Sequence, residues 1–450
     1  MLTIQGPRQR SFCDGVSRRS FLKIGGFAMA GVTNLDLAGI LQAEEASGQG
    51  RSQKAVINVF LGGGPPHQDM WEIKTRAPKE IRGEFQPIST AVPGVQIGEC
   101  FPKIAAMADR FAFLRAIVGC HGGHDGYQCL SGWDRRTDAT IGGRPAIGPA
   151  VAKLFGPTDP GIPPTVALAA PTKHSPWSEP GGPGFLGAGF SPFRPDAEGK
   201  ANLKLNSVTV DRFDDRKSLL SGLDRFRREA DASGLLAGMD QFNQAAFGVL
   251  TSSRLLHALD LSQEDPQTVA RYGDGKPYKY QYDGAPTVND QFLMARRLIE
   301  AGVRSVTLSY GRWDSHGANF DLVRDHGGKL DQAVTALVSD LEERGMLDDV
   351  TVVVWGEFGR TPRINKNNGR DHWPRVSCCL MAGGGMNTGQ AIGATNRLGE
   401  YAQDRPVDMQ EVVATVYRNM GINPETTTLI DQAGRPQYLI DNRIPIRELI

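Results

Sequence analysis

The sequence predicts an α/β protein built on a mainly parallel sheet, and three observations carry that prediction. From Val288 to Trp355 the apolar pattern alternates as helix, strand, helix, strand, which is the rhythm of βαβ units. A short β-rich run at Ala55–Leu61 stops at Gly62-Gly63-Gly64-Pro65-Pro66, as a buried strand feeding a loop would. Composition is that of a globular chain: 450 residues, 22% charged, 40% hydrophobic and 8% aromatic, which excludes disordered, collagenous and membrane-spanning classes. Lys+Arg and Asp+Glu balance at 50 each, so charge gives no reason to expect nucleic acid or an anionic membrane surface as a partner.

Taken in order, the first segment reads as an address. Ser17-Arg18-Arg19-Ser20-Phe21-Leu22-Lys23 precedes the weakly apolar run Ile24–Val32, the pattern of a twin-arginine (Tat) export signal, with Leu41-Gln42-Ala43 suited to cleavage after Ala43. That run is far shorter than the roughly 20 apolar residues of a membrane span, so no transmembrane segment is expected in the mature chain. The expected organisation is a signal peptide at 1–43, a linker at 44–54 and a single domain at 55–450 with a Pro/Gly-rich and helical excursion at about 155–285. Export in the folded state by the Tat translocase to the periplasm or cell envelope follows from the same reading. Cleavage leaves Cys100, Cys120, Cys129, Cys378 and Cys379, an odd number, so at least one thiol is free.

After the strand Ala55–Leu61, the apolar run Phe111–Val118 leads into a glycine–histidine turn. Residues 155–195 hold ten prolines and seven glycines and read as an ordered, irregular excursion over one sheet edge, with Trp177, Phe185, Phe190 and Phe193 available to pack. Residues 211–262 read as a helical pair. The helix Val288–Ala301, with Phe292, Ala295, Leu298 and Ile299 on one face, closes at Gly302 before the strand Val303–Leu308. A helix bearing Leu330, Val334, Leu337, Val338 and Leu341 closes at Gly345 before the strand Val350–Trp355. The apolar run Val376–Ala382, where Cys378 and Cys379 read as small core residues, and a helix around Met409–Met420 are expected to continue the rhythm.

The chemistry lies in the histidines. Six of the eight stand beside a carboxylate or a glycine turn at a strand end or loop. The groups are Gly64-Pro65-Pro66-His67-Gln68-Asp69, His121-Gly122-Gly123-His124-Asp125, Trp313-Asp314-Ser315-His316-Gly317 with His326 beyond it, and Gly369-Arg370-Asp371-His372-Trp373. Gly356-Glu357-Phe358-Gly359-Arg360 accompanies them. Ligands of open α/β sheets bind outside the carboxyl ends of the strands, where four of these groups fall. Mixed histidine and carboxylate donors suit zinc or manganese first, with calcium or magnesium as alternatives, and two such ions would suit displacement at a phosphoryl or sulfuryl centre. Each His–Asp pair taken alone reads equally as a loop-fixing hydrogen bond. There is no Gly-x-Ser-x-Gly elbow and no phosphate-binding Walker loop, and the triple glycine at 62–64 serves close backbone approach before anything else.

Gly-Glu-Phe-Gly-Arg-Thr-Pro (356–362), Gly-Arg-Asp-His-Trp-Pro (369–374) and Trp-Asp-Ser-His-Gly (313–317), behind a twin-arginine signal, resemble the bacterial family catalogued as domain of unknown function 1501. Gly83-Glu84-Phe85, Val92-Pro93-Gly94-Val95 and Gly187-Ala188-Gly189-Phe190-Ser191-Pro192-Phe193 are similar too, so the resemblance spans almost all of the mature chain. It implies an alkaline-phosphatase-like, sulfatase-like scaffold, a three-layer α/β/α sandwich with a mainly parallel central sheet and one or two metal ions at one sheet edge. By that likeness Asp314 and His316 match an Asp…His pair, Glu357 stands at an Asp-His dipeptide, His372 matches a late histidine, and His67 and Asp69 are displaced substitutes for the first acidic ligand. Two departures are plain. Phe358 stands where the dipeptide has histidine, and no serine or threonine lies in the His121–Asp125 turn where a nucleophile is expected. The sulfatase Cys-x-Pro-x-Arg motif is also missing, which argues against a formylglycine enzyme.

Two functions are therefore carried forward. In the first, an exported metal-dependent hydrolase acts on phosphate or sulfate esters, with an anionic ester or a sulfated or phosphorylated polysaccharide as substrate. His67, Asp69, Asp125, Asp314, His316, Glu357, Asp371 and His372 are the candidate ligands. A water near His121 or His124 attacks, and Arg360 and Arg370 hold the anion by bidentate bonds, unless they tie loops to carboxylates. In the second, the same scaffold binds or assembles without turnover.

Overall fold

Apolar side chains alternate between two faces along each central strand, and both faces are covered. In the computed structural model, residues 54–135, 141–169, 172–179, 181–195, 248–249, 252–273 and 284–450 are described. The expected export signal, all of the expected linker but Lys54 and most of the expected 211–262 helical pair lie outside them. Of that pair, Ser253–Leu259 is a helix whose N-terminus is capped by the Ser252 side chain accepting from the Leu255 N–H.

Eight strands form the central sheet: β1 (Ala55–Phe60), β2 (Phe111–Val118), β3 (Thr165–Leu168), β4 (Ser305–Ser309), β5 (Val350–Trp355), β6 (Ser377–Gly383), β7 (Gln390–Ile392) and β8 (Val407–Asp408). Their order is β7–β2–β6–β5–β1–β4–β3, with β8 also paired to β2. In β1, Ile57 and Val59 face one core together with α2 (Asp290–Glu300) and α3 (Asn319–Glu343). Val56 and Phe60 face the other, with α1 (Ile147–Phe155) and α4 (Met409–Asn419). Cys378 and Cys379 divide in the same way, one to each core, and burial pushes both thiols upward. All five cysteines of the described residues are free thiols. The result is the expected α/β fold: a mainly parallel sheet with helices on both faces.

Two elements depart from the sequence reading. The strand expected to continue the parallel rhythm, β6, runs antiparallel to both neighbours, β5 and β2. The chain from 356 to 376 contains no crossover helix, so it can only turn back beside the strand it left. The Pro/Gly-rich segment was expected to be irregular throughout, yet it supplies β3, parallel to β4 at the sheet edge. Thr165–Leu168 is a four-residue apolar run just after Pro163 and Pro164, too short to stand out among prolines and suited to an edge strand.

Because β1, β2, β4 and β5 run the same way, their carboxyl ends meet at one edge. There they release the loops containing residues 61–69, 119–125, 310–318 and 356–376, which carry the histidine and carboxylate groups. Among the described residues no helix is long and apolar enough to cross a membrane.

Candidate metal centre

Four side chains from three of these loops converge. His124, Asp314, His316 and His372 each present one ligand atom, all within 4.8 Å of one another, an arrangement that could hold a metal ion. Asp314 Oδ1 lies 3.0 Å from His316 Nε2 and 3.2 Å from His372 Nε2, and those two nitrogens are 3.1 Å apart. These separations are close to the edge of about 3.3 Å expected for a tetrahedron whose ligands stand about 2.0 Å from a central ion. The same separations also serve as hydrogen bonds, between the two histidine nitrogens and from His372 Nε2 to the Asp314 carboxylate. His124 Nε2 stands 3.6 Å from Asp314 Oδ2 and completes the group.

Two of the three histidines are aimed by carboxylates. His124 Nδ1 is 3.3 Å from Glu357 Oε1, and His316 Nδ1 is 2.7 Å from Asp371 Oδ1. A carboxylate that holds Nδ1 as the proton-bearing nitrogen leaves Nε2 with its lone pair toward the centre, the arrangement common around metal-bound histidine. Glu357, 2% exposed, is itself fixed by the Gly63 N–H at 2.8 Å, while its Oε2 is buried without a hydrogen-bond partner. Burial alone would raise the Asp314 carboxyl. The His372 hydrogen bond, the Arg360 guanidinium and His124 and His316 outweigh it and hold it well below the usual carboxylate range.

The triple glycine makes this crowding possible. A Cβ on Gly63, at φ +103°, would lie 2.3 Å from the Asp314 backbone nitrogen. A Cβ on Gly64 would lie 2.6 Å from the Phe358 ring, and one on Gly62 2.9 Å from the Trp177 ring. The strand end at β1 therefore lets three neighbouring segments close upon it.

Several candidates from the sequence take other places. Arg370 and Asp69 form a buried bidentate pair, and Asn319 Nδ2 donates a further bond of 2.7 Å to Asp69 Oδ2. The remaining Arg370 N–H groups go to the carbonyls of Thr361, Pro362 and Ile81, so none is left to clamp an anion. Asp69 likewise has both oxygens engaged. These two assignments are corrected: the pair ties loops together, as bidentate geometry at full burial favours. Arg360 is also fully buried. Its Nη1 donates to Asp314 Oδ1 at 2.8 Å and to the Gly63 carbonyl, and its Nη2 to the Arg370 carbonyl, so it orients Asp314 in place of a substrate anion.

His67 turns away from the cluster. Its Nε2 is 3.0 Å from the Gly399 carbonyl, and burial drives its pKa down to about 3. Asp125 accepts from the Tyr127 N–H and fixes the start of the helix Tyr127–Ser131, and His121 Nδ1 accepts from the Gly123 N–H. Both bonds are local. His326 sits within α3, accepting from the Arg312 N–H.

Sequence reasoning named Phe358 and Trp177 but did not bring them together around His124, and it missed His174. Phe358 packs at 4.6 Å from the His372 ring and 5.4 Å from that of His124, so an apolar ring stands where the family likeness implied a further histidine. His174 and Trp177, from the Pro/Gly-rich segment, each lie 5.2 Å from the His124 ring. No adjacent carboxylate marked His174 in the sequence, and only the fold brings it here.

The family described as Protein of unknown function (DUF1501) matches residues 53–450. No curated protein matches the sequence. Among solved structures the chain is similar to a sulfatase from Pseudoalteromonas sp., with 14% identity, 86% of this chain and 71% of that chain covered, and a TM-score of 0.36. It is similar to the lipoteichoic acid synthase LtaP from Listeria monocytogenes, with 10% identity, 87% and 75% covered, and a TM-score of 0.35. A phosphonate monoester hydrolase from Silicibacter pomeroyi is similar at 11% identity, with 82% and 73% covered and a TM-score of 0.33. At these values the likeness says nothing of activity.

Proposed function

We propose that this chain, which belongs to the DUF1501 family, is an exported metal-dependent hydrolase of phosphate or sulfate esters. The observation that carries the reading is the convergence of His124, Asp314, His316 and His372, with two of the histidines aimed by carboxylates. A divalent ion held by these four donors would supply Lewis-acid polarisation of an ester oxygen, or a lowered pKa for water, at a fifth coordination position. The residues do the rest. Glu357 and Asp371 hold the His124 and His316 rings, and Arg360 holds Asp314. Ser315, the hydroxyl next to Asp314, bonds to Asn319 Oδ1, so a side-chain nucleophile is not to hand there.

Phe358 favours one ion over two, because its ring offers no lone pair beside His372. Zinc or manganese suits three imidazoles and one carboxylate best. The twin-arginine segment supports export through the Tat translocase to the periplasm or envelope, and an anionic ester or a sulfated or phosphorylated polysaccharide is the substrate class this chemistry serves. The apolar Phe358 and the missing hydroxyl also favour a second reading, a binding protein on the same scaffold without turnover.

The deciding experiment is elemental analysis of protein purified from a Tat-exporting host beside the His372→Ala variant, followed by a panel of aryl phosphate, phosphonate and sulfate esters. One equivalent of metal, lost in the variant, with chelator-sensitive turnover is the expected result. Metal without turnover on any ester favours the second reading, and no metal in either protein removes the hydrolase and directs the search to a binding partner.

A further inference from the structure

We propose that His174 is a substrate-contacting residue of this centre, holding an oxygen of the tetrahedral phosphate or sulfate group; the inference rests on the metal-centre reading above. A tetrahedral oxyanion needs donors, and Arg370 does not supply them, since every one of its N–H groups is engaged. Arg360 is held by Asp314, Gly63 and the Arg370 carbonyl through its Nη atoms, which leaves its buried Nε without a partner.

His174 is the fourth imidazole at this place. Its ring meets that of His124 edge-on at 5.2 Å and packs at 4.3 Å on Trp177, which itself lies 5.2 Å from His124. His174 Nε2 is buried and has no hydrogen-bond partner. Buried polar atoms are satisfied in the great majority of cases, so an unsatisfied one beside a candidate metal site points to a ligand. Trp177 Nε1 is in the same condition.

The segment bearing them is built to hold position. Thr172 Oγ1 donates to the His174 carbonyl at 2.7 Å, the Trp177 N–H donates to the same carbonyl at 3.0 Å, and the Ser178 hydroxyl accepts from the Thr172 N–H at 2.7 Å. Arg194 Nη2 donates to the Ala169 carbonyl at 2.8 Å. On the other side, Trp177 rests against Gly62, where a side chain would collide with it. An imidazole N–H donates along one fixed direction, so it places an oxygen by geometry.

The test uses the full mature chain, metal-loaded, as wild type, His174→Ala and His174→Gln. Metal content is measured by elemental analysis, and binding of inorganic phosphate and of sulfate by titration calorimetry. The expected result is wild-type metal content in both variants, a loss of at least tenfold in affinity for one or both anions in His174→Ala, and partial recovery in His174→Gln, whose amide can donate. On any ester that is turned over, KM should rise more than kcat falls. Loss of metal in His174→Ala would make it a ligand and overturn the proposal, as would unchanged anion affinity or no anion binding by the wild type. Absence of metal from the wild type overturns the centre itself, which separates that failure from this one.

Discussion

Arg370 and Asp69 meet across 301 positions of sequence in a fully buried pair, with Nε 2.7 Å from one carboxylate oxygen and Nη2 2.9 Å from the other. The pair joins the loop after β1 to the loop between β5 and β6, and the Phe320 ring of α3 lies 5.8 Å from the guanidinium carbon. Removing one member leaves a buried charge uncompensated. Arg370→Met is expected to cost about 3–5 kcal/mol of stability, measured by urea unfolding at pH 7. A cost below about 1 kcal/mol, the usual value of an exposed pair, would contradict the structural role.

The carboxylates behind the histidines should tune metal affinity without supplying ligand atoms. Glu357→Gln is expected to weaken binding by about 10–100-fold, read by competition with a chromophoric chelator. Asp371→Asn should weaken it less, because Asp371 is exposed. Wild-type affinity in Glu357→Gln would mean that His124 is oriented by something else.

His67 makes a prediction about acid. Burial lowers it to about 3, against an ordinary value of 6.5, although the Gly399 carbonyl pulls the other way. A histidine whose folded pKa is depressed is neutral in the native state while the unfolded chain binds the proton. Stability is therefore undiminished above about pH 6.5 and falls as pH drops toward 3. The limiting slope is about 1.4 kcal/mol per pH unit for one proton. Unfolding free energies at several pH values, compared between wild type and His67→Gln, should show a shallower fall in the variant; identical slopes would refute it. His326 is lowered in the same direction and remains common to both proteins.

Glycine at 63 should matter in two ways that can be separated. Gly63→Ala places a Cβ 2.3 Å from the Asp314 nitrogen at φ +103°, so both stability and metal content should fall. Gly94→Ala, at φ +81° with nothing within 4 Å of its Cβ, meets only the conformational penalty of about 1–2 kcal/mol. Loss of metal from Gly94→Ala as well would show that general destabilisation, and not the position of Asp314, empties the site.

Much of the fold was legible. The 3.6-residue spacing around Leu330 to Leu341 and the β-rich run Val350–Trp355 report burial directly, and both elements form where expected. The direction of β6 was not legible, because an apolar strand reads the same either way and only the missing crossover helix decides it. At the site, clustering of histidine with carboxylate marked Asp314, His316 and His372 as ligands, while His124, expected beside the attacking water, stands among the possible ligands instead; the same clustering marked His67, Asp69 and Asp125, which bond elsewhere. Sequence proximity cannot tell a carboxylate that faces an imidazole from one that faces a guanidinium 301 residues away. His174 carried no local signal at all.

The return of β6 alongside β5 has a thermodynamic consequence. Residues 356–376, bearing Glu357, Arg360, Arg370, Asp371 and His372, form a loop whose two ends are stitched to adjacent strands, so the ladder between Trp355 and Cys379 fixes its span. Fraying of that ladder and dispersal of the loop are thereby one cooperative event. An ion that binds only the assembled loop protects the backbone amides of Ser377–Gly383 from exchange with solvent, by an amount that grows as the logarithm of its concentration over its Kd. The sheet's interior would register the presence of metal although no atom of it belongs to the site.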